Sequence, residues 1–246
     1  MDKIIYIAMA GAKLALDAQT LRANNLANSE TVGFKADLSA NHSVAIQGEG
    51  FQDRATVSGQ GLGSDFRAGK FIPTGGQLDV AIADQGWFVV QAADGTEGLT
   101  RAGEFSLNVN GMLVNADGLQ VIGSGGPINI PPATTIDIGD DGTISILPVA
   151  SAGSPAGASE VIGQLKLVNP PVDQLSKGAD GLFRYQGGTT AVDPTVQVIS
   201  GGVEGSNVNA VQEMIGMIAV ARLYEAQVNF LKAAEEQEGS AAQILQ

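Results

Sequence analysis

The sequence predicts a mainly β fold with terminal α-helices, in which an antiparallel β domain is inserted between N- and C-terminal helices that pair in a coiled-coil-like manner. Three observations lead there. Apolar and small residues recur at alternating steps of three and four over the first 28 residues, and the same rhythm returns over the last forty. Between these ends the pattern changes to short runs rich in β-branched residues, separated by Asp-Gly and Asn-Gly dipeptides.

The first stripe runs through Ile4, Ile7, Gly11, Leu14, Ala18 and Leu21, widened by Ala8 and Ala15. A helix of that length is about 40 Å long. Asn28 and Ser29 disfavour its continuation, and Thr31-Val32-Gly33 offers a turn at its exit, with Phe34 placed to pack back over the end. The second stripe runs through Ala210, Met214, Met217, Ala221, Tyr224, Val228 and Leu231, flanked by Val211, Ile215 and Ile218. Asn209 is placed to cap it, with Gln212 three residues on. The stripe fades where Glu235, Glu236 and Glu238 meet Gly239, and a frayed tail or a second short helix is expected there.

In the middle, Asp79 to Ile82, Trp87 to Val90, Thr143 to Ile146 and Val161 to Val168 read as strands. Asp94-Gly95, Asn110-Gly111, Asp117-Gly118, Asp141-Gly142 and Asp180-Gly181 supply the positive φ angles of tight hairpins. A compact antiparallel domain is therefore expected over 76–200. Residues 35–75, with Gly59, Gly61 and Gly63, read as an extended irregular or β linker, and Val149 to Ser159 as a loop. The division along the chain is then an N-terminal helix and its exit over 1–34, the linker over 35–75, the β-rich domain over 76–200, and the C-terminal helix and tail over 201–246.

Composition narrows the chemistry. With 44% hydrophobic and 16% charged residues the chain is too apolar to remain unfolded. Its net charge of −13 repels phosphate backbones and anionic lipid, so nucleic acid is not an expected partner. The acidity belongs to the middle of the chain: residues 1–30 are neutral overall. There is no cysteine, which excludes disulfides and thiolate metal sites. The apolar start, Ile4 to Ala12, is too short to span a bilayer and carries no basic leader, so neither membrane insertion nor a cleaved signal is expected.

Catalytic parts are scarce. His42 is the single histidine, in a polar stretch, and reads as a surface residue. No nucleophile elbow, dinucleotide fingerprint or P-loop occurs, and Gly59-Gln60-Gly61-Leu62-Gly63 has the wrong spacing and no helix after it. The acids leave a carboxylate-dependent glycosidase as the alternative from a different functional class, with Asp140-Asp141 the densest pair, although Asp141-Gly142 reads as a turn. No catalytic, cofactor-binding or metal-binding residues are assigned.

Three blocks are more specific. Asn24-Asn25-Leu26-Ala27-Asn28-Ser29-Glu30-Thr31-Val32-Gly33-Phe34-Lys35 resembles the N-terminal signature of bacterial flagellar rod and hook proteins. Leu78 to Ile82, Gly86-Trp87-Phe88, Leu99-Thr100-Arg101-Ala102-Gly103-Glu104-Phe105 and Gly111-Met112-Leu113 resemble the start of that family's β domain. Glu204-Gly205-Ser206-Asn207-Val208-Asn209, with Met214-Ile215 and Arg222-Leu223-Tyr224-Glu225, is similar to its C-terminal helix signature. The blocks fall in the family's order. The Met1-Asp2 start, Ile5-Tyr6, Ala8-Met9-Ala10 and the modest length resemble proximal-rod members, with the distal-rod type as the alternative.

The resemblance implies a structural subunit, not an enzyme, of the basal-body rod that crosses the periplasm and transmits torque. It implies export through the flagellar type III apparatus, and partnership with copies of itself and with other proximal and distal axial proteins. The helices would pair on assembly. The assembly surface is then expected at Ile4, Ile7, Leu14, Leu21, Asn24, Asn25, Leu26, Asn28, Gly33 and Phe34 on the N-terminal side. On the C-terminal side it is expected at Asn207, Asn209, Met214, Met217, Ala221, Tyr224, Val228 and Leu231.

Overall fold

The computed structural model describes residues 2–45, 55–148 and 159–244. These form two compact units: Met1–Ser29, Ala36–Asp65 and Val208–Gln246 in one, Glu30–Lys35 and Phe66–Asn207 in the other. Helices bracket a strand-rich middle.

The helical unit contains α1 (Asp2–Ala27), α2 (Ala210–Ile244), β1 (Asp37–Ala45) and β2 (Ala55–Ser64). The helices pack on each other and run antiparallel, since Gly11 lies against Gln227 and Gly216 against Arg22. Small residues make that approach possible: a Cβ on Gly216 would stand 2.3 Å from the Arg22 guanidinium, and Ala8 and Ala15 are buried. At the end of α1 the Asn28 amide donates to the Asn24 carbonyl at 3.1 Å, and the chain turns away. At the start of α2, the Asn209 Oδ1 accepts from the backbone amides of Val211 and Gln212 at 3.1 and 3.2 Å, satisfying two of the helix's unpaired donors.

Within the stretch over 35–75, expected as an extended irregular or β linker, β1 and β2 pair antiparallel from Asp37↔Ser64 to Ala45↔Ala55, with a register shift between Leu38 and Ser39. Its many Gly and Ser residues hid the alternation, but backbone pairing does not need large side chains. At its other end, α2 does not fray at Glu235 to Gly239 but continues to Ile244, because a single glycine costs only about 1 kcal/mol in a helix of 35 residues. The loop expected over 149–159 lies, except for Ser159, outside the described residues.

The β unit is built on a five-stranded antiparallel sheet. Its strands are β5 (Trp87–Gln91), β6 (Glu97–Thr100), β14 (Leu167–Val168), β15 (Leu175–Lys177) and β16 (Phe183–Tyr185), in the order β14-β5-β6-β16-β15. A three-stranded sheet follows from β11 (Ala133–Ile138), β12 (Thr143–Pro148) and β13 (Glu160–Gln164). Four ribbons complete it: β3 (Phe71–Pro73) with β18 (Gly202–Glu204), β4 (Val80–Ile82) with β17 (Val198–Ser200), β7 (Phe105–Leu107) with β8 (Leu113–Asn115), and β9 (Ile122–Gly123) with β10 (Gly126–Pro127). All five expected Asx-Gly turns place their glycine at φ between +77° and +82°.

Strand β5 explains where the core sits. Alternation sends Phe88 and Val90 to one face, into a cluster with Val80, Phe105, Leu113, Ile144 and Ile146. It sends Trp87 and Val89 to the other, with Leu99, Val168 and Phe183. Both faces of β5 are therefore covered, which is why Trp87-Phe88-Val89-Val90 is an unbroken apolar run. The Trp87 and Phe183 rings stand 4.7 Å apart, and Phe66 meets Trp87 edge-on at 5.9 Å.

Candidate assembly surface and the fastening of the signature residues

The expected seam on α2 is largely occupied within the chain. Met217, Ala221, Tyr224, Val228 and Leu231 are half-buried, on the side of α2 that carries Glu213, Gly216 and Gln227 toward α1. On α1, Leu14, Leu21 and Leu26 are likewise half-buried, while the side chains of Ile4 and Ile7 lie outside the described residues. An ion pair spans the helices, Arg22 Nη1 to Glu213 Oε2 at 3.0 Å.

The bare apolar side chains lie beside that seam. Val211, Ile215 and Ile218, read from sequence as mere flanks, are 61%, 62% and 57% exposed. Met214, Leu223 and Phe230 are also exposed on α2, and Tyr6, Met9 and Leu16 are exposed on α1. Of the α2 positions expected to face a partner, Met214 belongs to this bare set. Periodicity marks an apolar helix but does not tell which side of a wide apolar stripe the chain itself covers.

The asparagines act locally. Asn25 is buried, and its amide grips the start of β1 from both sides: Oδ1 accepts from the Asp37 amide at 2.9 Å and Nδ2 donates to the Asp37 carbonyl at 3.0 Å. Asn28 Nδ2 donates to the Asn24 carbonyl at 2.9 Å, and Asn24 is itself exposed. Asn209 is the cap already described. These are bonds that position the backbone at the helix ends.

Gly33, Phe34 and Asn207 lie in the β unit and are fastened there. Gly33 has φ +68°, its amide donates to the Glu204 carbonyl at 2.7 Å, and a Cβ on it would stand 2.2 Å from the Ala102 amide nitrogen. Only glycine fits that approach. The Phe34 ring carries the Lys177 ammonium 4.1 Å from its centroid, and Lys177 Nζ also donates to the Lys35 carbonyl at 3.1 Å. Asn207 donates its backbone amide to the Phe34 carbonyl at 3.3 Å and its Nδ2 to the Arg67 carbonyl at 3.1 Å.

At the centre is a cluster whose role the sequence reading did not assign. Glu204, Lys35 and Arg101 are all buried. The Glu204 Oε1 accepts from Lys35 Nζ at 2.7 Å and from the Gly69 amide at 2.7 Å, and its Oε2 accepts from Arg101 Nη1 at 2.9 Å. Lys35 Nζ donates also to the Arg67 carbonyl, and Arg101 Nη2 to the Asp84 carbonyl, both at 2.8 Å. The guanidinium lies 5.5 Å from the Trp87 ring centroid. Burial pushes the Arg101 pKa below its ordinary value, and the Glu204 carboxylate opposes the shift. Each of the three family blocks contributes one charge. The available signal was a lone charge set among apolar or glycine neighbours, as in Gly33-Phe34-Lys35, Arg101-Ala102-Gly103 and Val203-Glu204-Gly205.

Several acids of the β unit, among them Asp141 of the pair raised by the glycosidase alternative, are engaged by hydrogen bonds. Asp94 and Glu97 line a cleft of about 480 Å³ with Arg184, Tyr185 and Thr190. Asp94 accepts from the Thr96 hydroxyl and amide, and these bonds, with Arg184, lower its pKa. Glu97 accepts from Lys166 Nζ and the Thr190 hydroxyl. Asp141 closes the turn before β12 through Thr143, which lowers its pKa too. A general acid requires the opposite shift. Among the described residues no group of three His, Cys, Asp or Glu side chains is placed to hold a metal.

Comparison with known proteins gives this geometry a context. Residues 81–146 match the model of the flagellar hook protein FlgE/F/G D1 domain, and residues 199–244 that of the flagellar basal body rod FlgEFG protein C-terminal region. Over its whole length the chain is 41% identical to the flagellar basal-body rod protein FlgF of Salmonella typhimurium and 41% identical to that of Escherichia coli, covering 99% of each. It is 34% identical, over 93% of its length and 95% of the relative's, to the flagellar basal-body rod protein FlgG of Agrobacterium fabrum.

Proposed function

The chain belongs to the family of flagellar basal-body rod proteins, as a structural subunit of that rod, and we propose that it occupies the proximal segment and joins its neighbours through the bare apolar flank of its helix pair. The observation that carries this reading is the run of Val211, Ile215 and Ile218, each more than half exposed on a helix whose other side is already covered by α1. A large apolar side chain contributes about 1.5 to 3 kcal/mol when buried, so a few such residues per subunit suffice to drive association. Contacts that repeat head to tail without closing build a helical shaft, which transmits torque along its length.

The neighbours are copies of this chain and other axial proteins of the rod. The 41% identity and full-length coverage against the FlgF proteins of Salmonella typhimurium and Escherichia coli, above the 34% against the FlgG protein of Agrobacterium fabrum, favour the proximal over the distal position. Delivery is through the flagellar type III apparatus; with no cysteine, no disulfide opposes passage of an unfolded chain. Among the described residues no helix is long and apolar enough to cross a membrane.

Ile218→Asp tests the surface. The variant is expected to fold, with the β unit's stability unchanged, and to be absent from rods purified from cells that express it. Normal incorporation would refute the proposed surface. Position along the shaft is tested by imaging rods from cells lacking this chain: a gap between the inner-ring end and the distal rod is expected, and an intact proximal segment would rule that placement out.

A further inference from the structure

The buried charges of the β unit are unequally placed along the chain. Arg101, at the end of β6, and Lys35, ahead of β1, are both cations, and the carboxylate they share belongs to Glu204, at the end of β18. The first two stand within the first 101 residues, whereas the anion arrives after every other strand of the unit. Removing a carboxylate from between two buried cations is costly, because each cation has already left water and the like charges now face each other. Arg101 is the more exacting of the two. It is 5% exposed, its Nε has no hydrogen-bond partner among the described residues, and the Asp84 carbonyl is its other acceptor.

We infer that Glu204 is the closing element of the β unit: Lys35 and Arg101 form a cationic socket that disfavours final packing until the Glu204 carboxylate enters it. The same residue brings two backbone fastenings with it. Its carbonyl receives the Gly33 amide, and its side chain receives the Gly69 amide, both at 2.7 Å. Segment 30–35 and segment 67–69 are therefore drawn into the unit by the residue that completes it. Whatever route delivers the chain, one emerging from its N-terminus holds an open, pliable β unit until residue 204 arrives. Completion of the chain and closure of the unit become one event. A network used this way need not add stability over an apolar replacement; its effect is to make packing conditional on one late residue.

The full-length protein carries its own reporter, since Trp87 is the single tryptophan and lies beside Arg101. In Glu204→Gln, amide exchange at Gly33 and Gly69 is expected to accelerate about 100-fold or more, with Ile144 and Ile146 in β12 still protected. The refolding phase seen by Trp87 fluorescence is expected to slow in the same variant. Adding Arg101→Met to Glu204→Gln removes one cation from the socket, and is expected to restore most of the protection and the faster Trp87 phase. Arg101→Met alone controls for loss of packing and is expected to perturb exchange less than Glu204→Gln. Unchanged exchange in Glu204→Gln would overturn the inference. So would a double variant no better protected than Glu204→Gln, because the defect would then be one of shape and not of uncompensated charge.

Discussion

In the β unit, Phe88, Val89 and Val90 have no exposed surface, and both sides of their strand are covered by side chains from the same unit. In the helical unit, Val211, Ile215 and Ile218 have 57% or more of their surface exposed, although they are as apolar. The difference lies in what each architecture can close by itself. Sheets stacked with ribbons surround a core on every side, whereas two helices cover one stripe of each other and leave the flanks open. Polar bonding divides the same way. The β unit buries a lysine, an arginine and a glutamate in one network, whereas the charge pair that ties the helices, Arg22 with Glu213, is partly open to water. A partly open pair contributes about 0 to 1 kcal/mol, so the helix pair leans on packing and not on charge.

Four changes test that contrast, in falling order of effect. Phe88→Ala removes a ring that meets Phe105 at 5.2 Å in the closed core, and is expected to cost the β unit about 3 to 5 kcal/mol in denaturant unfolding. Helical circular dichroism should survive to higher denaturant in that variant; simultaneous loss of both would show that the units are not separately stable. Gly33→Ala forces a side chain toward the Ala102 backbone at a positive φ, and about 2 to 4 kcal/mol of destabilisation is expected, again seen through Trp87. A neutral result there would mean that segment 30–35 does not fasten the unit.

Asn25→Ala acts on the other side of the comparison. Losing both bonds to Asp37 is expected to cost the helical unit about 1 to 3 kcal/mol, with faster exchange at the Asp37 amide and no change in the Trp87 transition. Asn209→Ala is the mildest, about 1 kcal/mol from the loss of one cap, and should appear as reduced helicity near Val211 and Gln212. If Asn209→Ala proved as damaging as Phe88→Ala, the helix start would be structural for the whole chain and the contrast would fail.

Much of this was legible in the residues because local rules suffice for it. Steps of three and four located both helices, Asn209 marked the start of the second, and each Asx-Gly pair turned where its positive φ was needed. The ribbon of β1 and β2 was not legible, since its Gly- and Ser-rich strands pair through backbone groups that leave little trace in side-chain pattern. Which side of α2 the chain covers was half legible. A stripe shows that a helix must be covered, but Met217 and Val228 turned to α1 while Ile215 and Ile218 did not, and that choice depends on the partner helix.

The sequence by itself determined the two helices, the β-rich middle and the family, because periodicity, turn chemistry and the three signature blocks are properties of neighbours along the chain. Tertiary structure alone decided that Lys35, Arg101 and Glu204 share one buried site, and that Asn25 holds the first strand instead of facing outward. The physical reason is distance along the chain. A charge inside an apolar run announces that it needs a partner, but only the fold brings residue 204 to residues 35 and 101.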